Sequence, residues 1–306
     1  MFLKTSRIRD TRSMREINQV VIISNPHSTR AKKDLVGKFK LELSKAAPHL
    51  PVVIIPTQHS RHAEELAAHY AQDKHTVLLS ASGDGMYNEV INGVLSASSL
   101  LQPLLGVIPA GNANDHYRSV AQGSTIEHIC KGTSRPLDVL RVEYRTGTKT
   151  TVRYAHSYIG FGLTSHIRKE LDDKKVNLFT EKFVAARSFV NSKPIKVLRH
   201  STEMEVDGIT FANIQGIAKI IKLSKHSAPD DGKYEVHVIH HSTLFHKAGE
   251  VARLRSKKST VRSRTTDYIF TTMHAISMQM DGEVFKIPKD FRVSIGIVPK
   301  AIRTVL

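Results

Sequence analysis

The sequence predicts an N-terminal α/β domain with a mainly parallel sheet, followed by a C-terminal antiparallel, sandwich-like β domain. Two textures carry that reading. Over residues 20–139 short apolar β-type runs alternate with longer helical stretches, the pattern of parallel strands joined by helical crossovers. After residue 137 come many short β-type runs with little helix, the pattern of an antiparallel domain. A chain of 306 residues with 40% hydrophobic content supports two cores rather than one.

Each element of the first half has its own signal. VVIIS at 20–24 reads as a buried strand ending in the turn Asn25-Pro26, and helical patterning covers 32–47. PVVII at 51–55 is a second strand, HAEELAAHYAQ at 62–72 an amphipathic helix, and TVLLSA at 76–81 a third strand. The third strand runs into Gly83-Asp84-Gly85, after which Met86, Val90, Ile91, Val94 and Leu95 fall at helical spacing. LLGVIPA at 104–110 is a fourth strand, ending in the polar turn Gly111-Asn112-Ala113-Asn114-Asp115. The β-type runs that follow are interrupted by a helical insertion near 170–191 and a basic insertion at 246–264. These signals place the first domain at 17–138, completed by the C-terminal segment 292–306, and the β-rich second domain at 139–291.

Composition narrows the chemistry. A single cysteine, Cys130, excludes an internal disulfide and a cysteine metal cluster, which fits a reducing cytosol. Residues 1–16 are basic but lack the apolar run of a secretory signal, and no later stretch reaches the length of a membrane span. The expectation is a cytoplasmic protein that visits membranes peripherally. A net charge of +17 points to polyanionic partners. With 6% aromatic residues and no tryptophan there is little to stack bases on, which counts against nucleic acid.

A Gly-Asp-Gly turn between a buried strand and a helix lets backbone amides approach an anion. Asp84 within it supplies a carboxylate of the kind that holds Mg²⁺ beside phosphates. By itself the tripeptide is also compatible with an ordinary turn in which Asp84 caps the helix. Its company decides the reading. SGDGMYNEVING at 82–93 resembles the GGDGT-x-NEV-x-NG block of the diacylglycerol kinase catalytic family, which includes bacterial lipid kinases, sphingosine kinases and ceramide kinases. Four more blocks are similar to that family in the same order: Asn25-Pro26-His27-Ser28-Thr29 with Thr57 downstream, GVIPAGNAND at 106–115, APDDGKYEVHVI at 228–239 and MQMDGE at 278–283.

The resemblance implies an ATP- and Mg²⁺-dependent kinase acting on a lipid hydroxyl. It assigns Asn25, Pro26, His27, Ser28, Thr29, Thr57, Gly83, Asp84, Gly85, Met86, Asn88, Glu89 and Asn112 to ATP, Asp84, Asp115 and Asp231 to Mg²⁺, and Glu283 to the general base, with Asp84 also catalytic. A carboxylate beside the lipid hydroxyl makes chemical sense as the acceptor of its proton. Three positions depart from the family pattern: Met86 and Asn112 stand where it has threonines, and Thr29 where it has glycine. The implied partners are a lipid substrate and an anionic membrane surface, and the sequence leaves a homodimer open. Seven basic residues of the 246–264 insertion, Lys247, Arg253, Arg255, Lys257, Lys258, Arg262 and Arg264, face a single acid there, Glu250. The alternatives are an NAD kinase-like enzyme, whose family shares a similar glycine loop, or a non-catalytic nucleotide- or lipid-binding protein of the same fold.

Overall fold

The computed structural model describes residues 15–28, 34–97, 101–146, 148–162, 193–217, 221–222, 227–241 and 263–306. Its first half is β1 (Gln19–Ser24), α1 (Leu35–Ala46), β2 (Val52–Pro56), α2 (His62–Tyr70), β3 (Thr76–Ser82), α3 (Asp84–Ser96) and β4 (Leu104–Pro109). The four strands are parallel in the order β2-β1-β3-β4. Apolar side chains fill both faces of β1 because both are covered. Val20 and Ile22 pack with Leu43 of α1 on one face, and Val21 and Ile23 with Ala63, Ala67 and Val90 of α2 and α3 on the other. In this order the chain leaves β1 toward β2 on one side and returns to β3 on the other. The carboxyl ends of β1 and β3 therefore flank a crevice, the usual place for a ligand in an open α/β sheet.

Two six-residue helices, α4 (Asp115–Val120) and α5 (Thr125–Cys130), follow β4. Then come β5 (Arg135–Thr146), β6 (Lys149–Ala155), β7 (Tyr158–Gly162), β8 (Ile195–Arg199), β9 (Thr202–Ala212), β10 (Gly216–Ile217), β11 (Ile221–Lys222) and β12 (Tyr234–His240). The chain ends in β13 (Ser263–Thr265), β14 (Asp267–Thr272), β15 (Ile276–Met280), β16 (Glu283–Ile287) and β17 (Arg292–Thr304). Among the described residues the later strands run β16-β15-β7-β9-β8-β14-β17 and pair antiparallel, with β12 also on β9 and β5 also on β17. Their core is aromatic: Phe161 meets Phe270, and Phe211 meets Tyr268, edge to face with ring centroids 5.1 Å apart.

The α/β-plus-antiparallel architecture is thus present. Hydrogen bonding continues from one half to the other through β17. Residues 292–298 of β17 pair antiparallel with β5 and β14, the register shifts between Val298 and Ile302, and Thr304 then pairs parallel with Leu105 of β4. Lys300 makes that shift at φ 53°, its amide held by Asp138 Oδ1 at 2.7 Å. The expected helical insertion at 170–191 lies outside the described residues, as does the basic insertion at 246–264 except for residues 263 and 264 of β13. No helix among the described residues is long and apolar enough to cross a membrane.

Candidate active site

The crevice is edged by turns that leave β1, β2, β3 and β4 at their carboxyl ends. After β1 the Asn25 Oδ1 accepts the His27 amide at 2.8 Å and the Asn25 carbonyl accepts the Ser28 amide at 3.1 Å, which curls Asn25-Pro26-His27-Ser28 into a tight turn. Thr29 lies outside the described residues. Thr57, just past β2, donates from its amide to the Ser24 carbonyl at 2.8 Å and so sits beside that turn.

The glycine turns after β3 and β4 press against one another. A Cβ added at Gly111 would stand 2.3 Å from the Gly83 Cα, so only glycine permits this approach. Asn114, at φ 50°, holds the second turn: its Oδ1 accepts the Gly111 amide at 3.1 Å and its Nδ2 donates to the Gly111 carbonyl at 2.8 Å. Asn112, in the same turn, is exposed.

Asp84 opens α3 and reaches across to α4. Its Oδ2 accepts the Asp115 amide at 3.0 Å and its Oδ1 the His116 amide at 3.1 Å. The carboxylate thereby satisfies two of the amides left over at the start of that helix. The structure brings Asp84 and Asp115 together, and the Asp115 carboxylate is paired with Arg118. Asp231 is held on a separate exposed turn before β12, where its Oδ1 accepts the Lys233 amide at 3.0 Å and the next residue, Gly232, donates to Asp138 Oδ2 at 2.6 Å.

The Asp-Gly-Glu turn that precedes β16 folds onto the glycine turn at Gly85, where an added Cβ would stand 3.6 Å from the Asp281 carbonyl oxygen. Asp281 is buried at φ 46°, and its carboxylate collects three successive amides: His156 at 2.6 Å, Ser157 at 3.1 Å and Tyr158 at 2.9 Å. Burial first, with the Asp84 charge adding, pushes its carboxyl up to about 6 against the pull of His156 and of the Tyr158 and His156 amides.

Glu283 begins β16 within a cluster of charged groups. Burial and then the neighbouring Glu89 carboxylate push its carboxyl up to about 7, with Arg153 and Arg61 opposing and Glu64 adding to the rise. Glu89 is itself raised, chiefly by burial, although the amides of Arg61 and Ala63 at the start of α2 hydrogen-bond to it. Burial works to raise Glu64 as well, but hydrogen bonds from Arg153 and Arg61 outweigh it and leave Glu64 below the ordinary carboxylate range. The Arg153 guanidinium grips Glu64 with both terminal nitrogens, at 2.6 and 3.0 Å, and so ties β6 to α2.

Two residues assigned to ATP from the resemblance point elsewhere. Met86 is buried in the core shared by β1, α2 and α3. Asn88 is fully buried, its Oδ1 accepting Asn92 Nδ2 at 3.2 Å, while Asn92 fastens α3 to the backbone of Tyr154 in β6. Both therefore support the helix behind the glycine turn rather than line the crevice. In turn the sequence reading missed Arg61, Glu64, Arg153, His156 and Asp281. For Asp281 a signal existed in the Asp-Gly-Glu segment itself, whereas the other four carried none. It also passed over His59, His62 and Glu65, whose ligand atoms lie within 4.8 Å of one another at the start of α2. There His62 Nδ1 already accepts the Gln58 amide at 3.1 Å.

Comparison with known proteins agrees with this geometry. Residues 19–142 match the model of the diacylglycerol kinase catalytic domain. Human ceramide kinase is 25% identical over 175 residues, which are 51% of this chain and 32% of that protein. A diacylglycerol kinase of Staphylococcus aureus is 24% identical over 238 residues, 72% of each chain. The chain thus spans about a third of the ceramide kinase and nearly three quarters of the bacterial enzyme. Among solved structures, a diacylglycerol kinase from Bacillus anthracis superposes with a TM-score of 0.66 at 17% identity, over 95% of this chain and 97% of that one. Yeast NADH kinase superposes with a TM-score of 0.51 at 10% identity, over 95% and 83%. The resemblance to the diacylglycerol kinase catalytic family is borne out, and these structures share its fold.

Proposed function

We propose that this chain transfers the γ-phosphate of ATP to a hydroxyl of a lipid such as diacylglycerol or a sphingoid base, at an anionic membrane surface. One observation carries the reading: the turn that bears Glu283 is packed directly on the glycine turn of Gly83, Asp84 and Gly85, although the two are far apart along the chain. In this reading a phosphate loop and a carboxylate poised near neutral pH serve one reaction.

In this scheme the amides at Gly83 and Gly85 and the turn at Asn25 receive the nucleotide phosphates. Glu283 accepts the proton of the lipid hydroxyl as that oxygen attacks the γ-phosphorus, and the phosphoryl group departs from ADP. Arg61 and Arg153 keep the cluster of Glu64, Glu89 and Glu283 from becoming uniformly negative, and Glu89 holds the Glu283 proton affinity high. The donor set suits Mg²⁺, since Asp84 spends one lone pair of each carboxylate oxygen on an amide and keeps another. Asp84 would hold the ion with Asp115, which balances Arg118, while Asp231 contributes from its own turn. Mg²⁺ supplies neutralisation of phosphate charge.

The deciding experiment incubates purified protein with labelled ATP and Mg²⁺ against diacylglycerol, sphingosine, ceramide and phosphatidylglycerol, with NAD as a separate acceptor. Label should enter at least one lipid and leave NAD unmodified. Label in NAD alone would replace this reading with the NAD kinase one, and nucleotide binding without transfer to any acceptor would favour a binding protein.

A further inference from the structure

We propose that His156, a residue nothing in the sequence marks, is a positioning residue that locks the base-bearing turn to the phosphate loop. This rests on the lipid kinase reading of the same site. His156 sits in the bend between β6 and β7 and is 1% exposed. Its Nε2 lies 3.1 Å from the Asp84 carbonyl oxygen and 3.5 Å from Asp281 Oδ2. Its own amide donates to that same Asp281 oxygen at 2.6 Å. The tautomer that donates from Nε2 to the Asp84 carbonyl leaves Nδ1 to accept the Ser157 hydroxyl at 2.7 Å.

The consequence is mechanical. Asp84 belongs to the glycine turn, and Asp281 to the turn whose third residue is Glu283, so one ring touches both. The ring is itself fixed from behind, edge-on to His116 at 4.4 Å and tilted against Tyr87 at 5.1 Å between centroids. Unlike the neighbouring His116, whose buried ring nitrogens have no hydrogen-bond partner among the described residues, His156 has a polar partner at each nitrogen, more than filling space requires. Here the Nε2 partner is the phosphate loop, and the Nδ1 partner belongs to the amide row that grips Asp281. Phosphoryl transfer depends on positioning above all, and an ångström of misplacement between base and phosphate costs on the order of a hundredfold in rate.

The test compares His156→Leu, which keeps apolar volume without a donor, with His156→Gln, whose amide nitrogen reaches the Nε2 position. His156→Leu should lower kcat on the order of a hundredfold while KM for ATP stays within about twofold, and His156→Gln should recover most of that loss. Hydrogen exchange read at residues 83–86 and 281–285 should quicken together in the Leu variant and return to the wild-type rate in the Gln variant. Equal kcat in the two variants, or exchange that quickens in only one turn, would overturn the proposal. If the Leu variant does not fold, a Gln variant with kcat far below wild type would overturn it as well. Should wild type phosphorylate no lipid, the exchange comparison still judges the brace, so failure of the lipid kinase reading and failure of this inference give different results.

Discussion

Glu283 and Asp84 are both carboxylates of the crevice, yet their surroundings set them different tasks. Glu283 is pushed up to about 7 by burial and by Glu89, so it exchanges its proton near the pH of the cell. A base works in its deprotonated form, hence kcat should climb as pH rises and level off above an apparent pKa of about 7. Glu283→Gln should remove that limb and most of the turnover while leaving ATP affinity within about twofold, read by pH–rate profiles and calorimetric titration. The stability effect has the opposite sign. Between the ordinary glutamate value of 4.5 and about 7 the folded chain keeps a proton that the unfolded chain has released, so this group withdraws stability as pH rises through that window. Glu283→Gln should accordingly melt no lower than wild type at pH 8. Asp84 behaves otherwise. The sequence view, a metal ligand on a surface turn, implies that Asp84→Asn leaves the fold intact. The structure changes that expectation, because both carboxylate oxygens accept amides at the start of α4 and the amide group of asparagine offers an N–H to one of them. Asp84→Asn should lose phosphotransfer and also cost about 1 to 2 kcal/mol of stability, measured by urea unfolding. Loss of activity with wild-type stability would mean that those two hydrogen bonds contribute nothing net.

At the level of elements, what was legible in the sequence and what was not divides along physical lines. The strands β1, β3 and β4 are nearly all apolar because both faces are covered, and α3 announces itself through the spacing of Val90, Ile91 and Val94, all buried. Helices α4 and α5 span six residues each, too few for a period to show. The partners of Glu283 were invisible for another reason. Arg153 and Glu64 are 89 residues apart in the chain, and only the fold makes them neighbours. A short motif preserves spacing along the chain but says nothing about a cross-chain partner. For the same reason Asn88 and Met86, which share a motif with Asp84, turn out to face the core. The contact between α2 and α3 gives a sharp check on this layer. Gly93 is the last residue of the Asn-Gly pair in that motif, and a Cβ there would stand 2.2 Å from the Glu64 carbonyl oxygen. Gly93→Ala must separate the two helices, which should cost about 1 to 3 kcal/mol despite alanine's better helix propensity. Arg153→Ala should cost about 1 to 3 kcal/mol, since it removes the buried partner of a Glu64 side chain that is only 17% exposed and leaves Arg61 alone to hold it, whereas Arg61→Ala, on an arginine 57% exposed, should cost under about 1 kcal/mol. Urea unfolding of the three variants checks that ranking.

Across the whole molecule the excess of 45 Lys and Arg over 28 Asp and Glu outlasts the needs of the crevice. Within the site acids outnumber bases: Asp84, Asp115, Asp281, Glu64, Glu89 and Glu283 stand with Arg61, Arg118 and Arg153. The surplus of +17 therefore lies outside the site, and a field of that sign gathers polyanions over a Debye length of about 8 to 10 Å. On the lipid kinase reading proposed above, the acceptor lies at a bilayer. On that reading we expect charge to attach the chain there. The seven basic residues between 246 and 264 would contribute about 1 kcal/mol each if all engaged an anionic leaflet, so that three or four are enough for measurable retention. The protein should pellet with vesicles containing phosphatidylserine at low salt, leave them as salt rises, and ignore vesicles of phosphatidylcholine alone. Reversing Lys257, Lys258, Arg262 and Arg264 to Glu should weaken that retention and slow phosphorylation of a lipid presented in anionic vesicles, yet leave activity on the same lipid in neutral detergent micelles unchanged. The micelle arm separates attachment from chemistry: a variant equally impaired there has lost its site or its fold, and equal retention on neutral vesicles would show that apolar contact, not charge, holds the protein at the surface.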